Sequence, residues 1–367
     1  MTANFTDPVA ILGELVAYRT DVFEGHERPL AERLVELLGA RHADDVVLVE
    51  TPRPDGNKPT CYVYARFGAP KLVVNAHLDT VPPNADWTSD PFVPKLEGGK
   101  LYALGASDTK GAAAAILSAL EETTPRDTGI LFSGDEEFSS VAIRAFLAGP
   151  HRHGVERAIV CEPTNLTVGT RHRGFVAFHV TVTSPGGHSS RADDIPSPIG
   201  TLARVAVALD EWGQQHRSSG PPGFLGMCMN LAKLDGGIAF NVIPAQVKLV
   251  VSFRPPPGAD TKLLCAELEA LAKKVAPEAV VRFERVNPPF ATRDPSSFAI
   301  IGDAAKSPVD LAFWTEASLL VESGIDAVVM GTGDIAQAHA PNEWVTVDEL
   351  HRARDLFRAI FEQTRAS

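Results

Sequence analysis

His77 and Asp79 lie two residues apart at the polar end of an apolar run, KLVVNAHLDT over 71–80. In an extended strand that spacing sends both side chains to one face, and a metal-bound imidazole commonly donates its second N–H to a carboxylate. The pair therefore offers a ligand, His77, and a supporting acid, Asp79. Further acids follow in similar places: Asp108 in the Gly/Ala/Ser-rich LYALGASDTKG, Glu136 and Glu137 just after the apolar GILFS, and Glu162 at the end of RAIVCEPT. His339 stands in AHAPNE, after a Gly-rich loop. Alone, each has an ordinary reading: Asp108 as a helix cap, the glutamate pair as a solvated turn, Glu162 as a strand-end carboxylate facing water, His339 as a loop histidine. Collectively they sit at strand ends or in the loops that follow, on one edge of one sheet. Two histidines with three or four carboxylates make an N/O donor set suited to zinc, cobalt or manganese. Two such ions ~3.5–4 Å apart with a shared carboxylate suit amide hydrolysis, because they acidify a water and polarise a carbonyl. One carboxylate must then stay off the metals to carry the proton.

The elements that position these residues alternate between strand and helix. A first helix opens at Thr6 or Asp7 with Pro8 in its first turn. The strand over 71–80, the Ala-rich helix GAAAAILSALEE, and strands over 129–137 and 157–164 follow. Such alternation predicts an α/β sheet with ligands gathered at the strand ends. From about Gly174 to Val286 the order becomes β-α-β-β-α-β, which is ferredoxin-like. This reading makes 174–286 an inserted domain and 1–173 with 287–367 a discontinuous catalytic domain, bounded near Arg173 and the Pro288-Pro289 pair. A helix over PVDLAFWTEASLLVESG, a strand DAVVMG and a closing helix from about Asp348 complete the expectation. With 367 residues and typical domains of roughly 100–200, two domains fit the length.

The net charge of −12 opposes binding to phosphate backbones and anionic lipid surfaces, so no nucleic-acid or membrane partner is expected. No apolar run approaches the roughly 18 residues of a membrane span, and the opening residues lack a basic segment leading into a signal-peptide core. The expectation is a cytoplasmic protein. Cys61, Cys161, Cys228 and Cys265 are too scattered for a zinc ribbon or a disulfide framework.

The motifs AHLDTVP, WTSDPF, LYALGASDTKG, SGDEE, CEPT, GGHSS, FNVIPAQ, SFRPPPG, TEA and AHAPNE stand in one order along nearly the whole chain. In this the sequence resembles the metallopeptidase family that includes acetylornithine deacetylases, succinyl-diaminopimelate desuccinylases and aminoacylases, nearest to its arginine-pathway deacetylases. The resemblance implies a central mixed sheet with flanking helices of the zinc-dependent exopeptidase kind, two Zn2+ or Co2+ ions, and a homodimer formed through the inserted lid domain. It implies His77, Asp108, Glu137, Glu162 and His339 as metal ligands with Asp108 bridging, Glu136 as general base, and Asp79 in support of His77. His188 of GGHSS matches a histidine that steadies the oxyanion in a neighbouring subunit. Asn241 and Arg254 match positions linked to the substrate carbonyl and carboxylate. The implied reaction removes the acetyl group from an acetylated amino acid in arginine biosynthesis, N-acetyl-L-citrulline first and N-acetyl-L-ornithine next. A dipeptidase, carboxypeptidase-like or aminoacylase activity on the same metals is the alternative among enzymes. A non-catalytic binding protein that kept the fold is the alternative outside them, and an intact base argues against it. Ala103-Leu104 and Gly331-Thr332-Gly333 depart from the family's usual residues, which bears on loop shape and substrate preference rather than on the ligands.

Overall fold

The computed structural model describes residues 6–53, 56 and 58–366. The chain divides into two compact units, one of residues 1–170, 292–309 and 315–367, the other of 171–291 and 310–314.

The first unit is built on a mixed sheet whose strands run in the order Asp45–Thr51, Thr60–Phe67, Thr128–Ser133, Leu72–His77, Arg157–Val160, Asp326–Val329 and Gly169–His172. The first three pair antiparallel. Thr128–Ser133, Leu72–His77, Arg157–Val160 and Asp326–Val329 are mutually parallel. Every residue of Leu72–His77 and of Thr128–Ser133 is buried, as expected for parallel strands covered on both faces. That is why these strands read as continuous apolar runs rather than alternating ones. The helix Pro8–Val16 is capped by Asp7, whose side chain accepts from the Val9 N–H. It packs with Lys110–Glu122 and Val347–Ala366, where the small side chains Ala112–Ala115 admit close approach and Ile116, Leu120, Phe357 and Phe361 fill the core. No helix among the described residues is long and apolar enough to cross a membrane.

The second unit has the order Phe175–Thr183, helix Pro198–Gln215, Cys228–Gly236, Gln246–Arg254, helix Thr261–Val275 and Val280–Asn287. Its four strands form an antiparallel sheet in the order Cys228–Gly236, Gln246–Arg254, Phe175–Thr183, Val280–Asn287, the ferredoxin-like arrangement. Alternate residues Val176, Phe178, Val180 and Val182 point into a core shared with Leu202, Val205, Leu209 and Leu268 of the two helices.

The segment PVDLAFWTEASLLVESG, expected to be helical, is so only over Ala317–Glu322, while Val309–Leu311 is a strand. The helix starts late: Glu316 is its N-cap residue, without a side-chain cap bond, and Val309–Leu311 pairs with Gly169–His172 instead. The strand read over 129–137 stops at Ser133, and Asp135 turns the chain with φ 67°.

Candidate active site

The parallel strands fix the site by register. His77 ends its strand opposite Ser133 of the neighbour, and Asn75 lies opposite Val160 on the other side. Glu136 and Glu137 follow Ser133, Glu162 follows Val160, and His339 lies in the loop after Val329. All therefore leave the carboxyl ends of adjacent strands, where α/β sheets gather ligands.

Asp108 is the centre of the cluster. Its Oδ1 lies 2.9 Å from His77 Nε2 and its Oδ2 lies 3.5 Å from His339 Nε2, so the two oxygens of one carboxylate face different histidines. His339 Nε2 also lies 2.8 Å from Glu137 Oε1. One potential ligand atom each from His77, Asp108 and Glu137 fall within 4.8 Å of one another. The helix beginning at Lys110 takes Thr109 as its cap residue, without a side-chain cap, so Asp108 faces the histidines instead of capping. Nor is the glutamate pair a solvated turn: the Glu137 side chain is 8 % exposed. Glu162 is buried, with Oε1 accepting from nothing.

Among the described residues no lysine or arginine pairs with Asp108, Glu137 or Glu162; histidines pair with Asp108 and Glu137. Burial foremost pushes Glu136, Glu137 and Glu162 above the usual carboxylate range, and the neighbouring acids add to it. Burial opposes charge on His77, but its contacts with Asp108 and Asp79 outweigh that and hold it well above an ordinary histidine. His339 rises to about 11 through Asp108 and Glu137. A set of largely buried carboxylates and two imidazoles, one of them the exposed His339, with one unpartnered oxygen fits divalent cations, which would displace the protons held here.

Asp79 contributes differently from the expected carboxylate partner of His77. The nearer acceptor to His77 Nδ1 is the Asp79 backbone C=O at 3.0 Å, with its carboxylate Oδ1 at 3.6 Å. The Asp79 carboxylate instead accepts the backbone N–H groups of Glu136 at 3.1 Å and Glu137 at 3.0 Å.

In the second unit, His188 and Asn241 are neighbours. His188 pairs with Val242 across a short bridge, and the Ser189 N–H donates to the Asn241 C=O at 2.9 Å. Arg254 is not brought to them: it ends the strand Gln246–Arg254 that starts beyond Asn241, roughly 26 Å along at strand rise. Its guanidinium lies 4.9 Å from the centre of the Phe175 ring, and no carboxylate pairs with it among the described residues.

Several supporting residues escaped the sequence reading. Glu343, the last residue of AHAPNE, accepts backbone N–H groups from Gly105, Ser107 and Asp108. Glu316, of TEA, takes the Ser133 hydroxyl at 2.8 Å. Arg53 reaches Glu27 at 2.6 Å and Asp135 at 3.0 Å beneath the loop that carries Glu136. Lys110 is buried, donates to the Tyr18 C=O at 3.0 Å, and is lowered by burial to about 7. For Lys110 the available signal was a charged residue at the head of the Ala-rich run GAAAAIL. Gly333 has a steric reason for its type: with φ 85°, a Cβ there would lie 1.8 Å from Ser107 Oγ.

Residues 73–363 match Peptidase family M20/M25/M40. The chain is 34 % identical over 313 residues to an N-acetyl-L-citrulline deacetylase of Xanthomonas campestris pv. campestris, covering 79 % of this chain and 81 % of the relative. It is 32 % identical over 302 residues to an acetylornithine deacetylase of Myxococcus xanthus, covering 78 % of each. The fold is similar to that of an M20 family metallo-carboxypeptidase from Sulfolobus solfataricus, with a TM-score of 0.81 at 18 % identity over 98 % of this chain and 99 % of that one. The chain belongs to Peptidase family M20/M25/M40 and is a hydrolase.

Proposed function

We propose that this hydrolase removes the acetyl group from an N-acetylated amino acid, N-acetyl-L-citrulline foremost, with two zinc or cobalt ions held by His77, Asp108, Glu137, Glu162 and His339. The observation that carries this reading is that the two oxygens of Asp108 face different histidines. Glu162 belongs with His77 on one side and Glu137 with His339 on the other. The side chain of Glu136 joins neither pair and is free for proton transfer.

When bound, the metal pair supplies Lewis acidity to the acyl carbonyl and makes a water acidic enough to lose its proton near neutral pH. Glu136 takes that proton on a carboxylate oxygen. It returns it to the leaving nitrogen as the C–N bond breaks, giving acetate and the free amino acid. The Asp79 carboxylate holds the backbone from which Glu136 and Glu137 project, so base and ligand keep a fixed relation. Arg254 offers a planar fork to the substrate α-carboxylate, His188 an N–H to the developing oxyanion, and Asn241 a contact to the acyl carbonyl.

The placement of these last three supports a homodimer formed through the 174–286 lid. One copy holds His188 and Asn241 at one end of a nine-residue strand and Arg254 at the other. For all three to serve one amino-acid-sized substrate, they must come from different copies. Cys228–Gly236 is moreover an edge strand, and the loop after it exposes Ile238 and Phe240 at 89 % and 100 %, a surface suited to a second copy. Free citrulline as product fits arginine biosynthesis in the cytoplasm, with neither nucleic acid nor membrane as partner.

The substrate is tested by kcat/KM of the zinc- or cobalt-loaded protein for N-acetyl-L-citrulline and N-acetyl-L-ornithine, measured side by side by release of free amine. A clear excess for acetylcitrulline is expected. Preference for acetylornithine would keep the mechanism and overturn the substrate. Turnover of dipeptides alone would overturn the deacetylase reading.

A further inference from the structure

Glu343 is 1 % exposed and is neither a proposed ligand nor the base. Its Oε2 accepts the Gly105 N–H at 2.9 Å, and its Oε1 accepts those of Ser107 at 2.7 Å and Asp108 at 2.9 Å. Its backbone C=O takes the Ala103 N–H at 3.1 Å. Among the described residues no cationic side chain pairs with it. The chain from Ala103 to Asp108 is therefore wound around one buried carboxylate, and it ends on the residue that both histidines share. Gly105, at φ 81°, permits the turn. The segment is anchored on its other side as well, since Asn342 Oδ1 accepts the Thr88 N–H at 3.0 Å and hydroxyl at 2.7 Å. His339 lies four residues before Glu343. One short stretch thus supplies a histidine to one side of the cluster and clamps the backbone of the carboxylate common to both.

Resting on the reading of Asp108 as a shared ligand, we infer that Glu343 is a positioning residue for the second metal ion. A carboxylate that serves one ion tolerates rotation. One that serves two must hold both oxygens in fixed directions, and the direction of the Asp108 side chain follows from the backbone that Glu343 grips. Loss of that grip costs the pair before it costs the single ion.

Glu343→Gln keeps the size but replaces one acceptor oxygen with an NH2 that meets an N–H donor. Zinc stoichiometry and affinity are measured on the full chain by competition with a chromophoric chelator. The fold of the metal-free variant is checked by circular dichroism and its Tm. The expected result is that the second zinc binds roughly 10–100-fold more weakly, while the first changes little and the metal-free fold persists. Two zinc ions at wild-type affinity would overturn the inference. So would equal weakening of both ions together with a lower metal-free Tm, the mark of a purely structural role. Should the Gln variant not fold, Glu343→Asp decides by the same criteria, since it keeps the charge and withdraws the oxygens by one methylene. A wild-type chain that binds fewer than two zinc ions would remove the shared-ligand reading itself, and this inference with it.

Discussion

The backbone N–H of Glu136 donates to Asp79 Oδ1 at 3.1 Å, and the N–H of Glu137 donates to Oδ2 of the same carboxylate at 3.0 Å. Both oxygens of Asp79 thus face the loop that carries the proposed base and one proposed ligand. Substitution of Asp79 by Asn turns one acceptor into a donor that opposes an N–H. We expect Asp79→Asn to retain its metal while kcat falls by roughly 10–100-fold, the usual cost of losing a partner that orients ligands. Metal analysis beside steady-state kinetics checks this, and an unchanged kcat would refute the clamp.

On the proposed dimer His188 and Arg254 act on one substrate from different copies, so inactive variants should complement. Mixed dimers of Glu136→Ala and His188→Ala contain one site with a native Glu136 and, from the partner copy, a native His188. Refolding the two variants together should restore a substantial share of activity, to be measured as turnover against each homodimer. No recovery in verified heterodimers would place His188 outside the neighbouring site.

Glu316 gives a pH dependence with a definite sign. Burial raises its carboxyl from 4.5 to about 8, against the pull of the Ser133 hydroxyl. Between those values the folded protein holds a proton that the unfolded chain releases. The contribution to stability is therefore present at low pH and declines as pH rises through the window, by at most about 1.4 kcal/mol per pH unit. Glu316→Gln has no such proton. Urea midpoints of the metal-free proteins from about pH 5 to 8 should fall more steeply for wild type than for the variant. Parallel curves would contradict the assignment.

Much of the site was legible because its residues obey local rules. His77 ends, and Glu162 closely follows, a largely apolar strand, and such strands point ligands to one edge of a sheet. The inserted unit was legible from alternation: Val176, Phe178, Val180 and Val182 show the period of a half-buried strand. Glu343 was not, because its N–H partners lie 235 to 238 residues away in sequence, and any carboxylate can accept a backbone N–H. The role of Asp79 was half legible. Its spacing from His77 is local, but the N–H groups that its carboxylate takes are 57 and 58 residues on. The over-long helix around 308–324 shows a helical pattern overruled where Val309–Leu311 finds a strand partner in Gly169–His172.

The central claim is that Glu136 moves the proton while Asp108, Glu137, Glu162 and the two histidines hold the metal pair. It is tested most directly by Glu136→Gln, assayed for bound zinc and for kcat on N-acetyl-L-citrulline in the same preparation. The account predicts wild-type metal content with kcat reduced by roughly 10²–10⁴-fold. A variant that keeps its turnover, or that loses both metal ions, would contradict it.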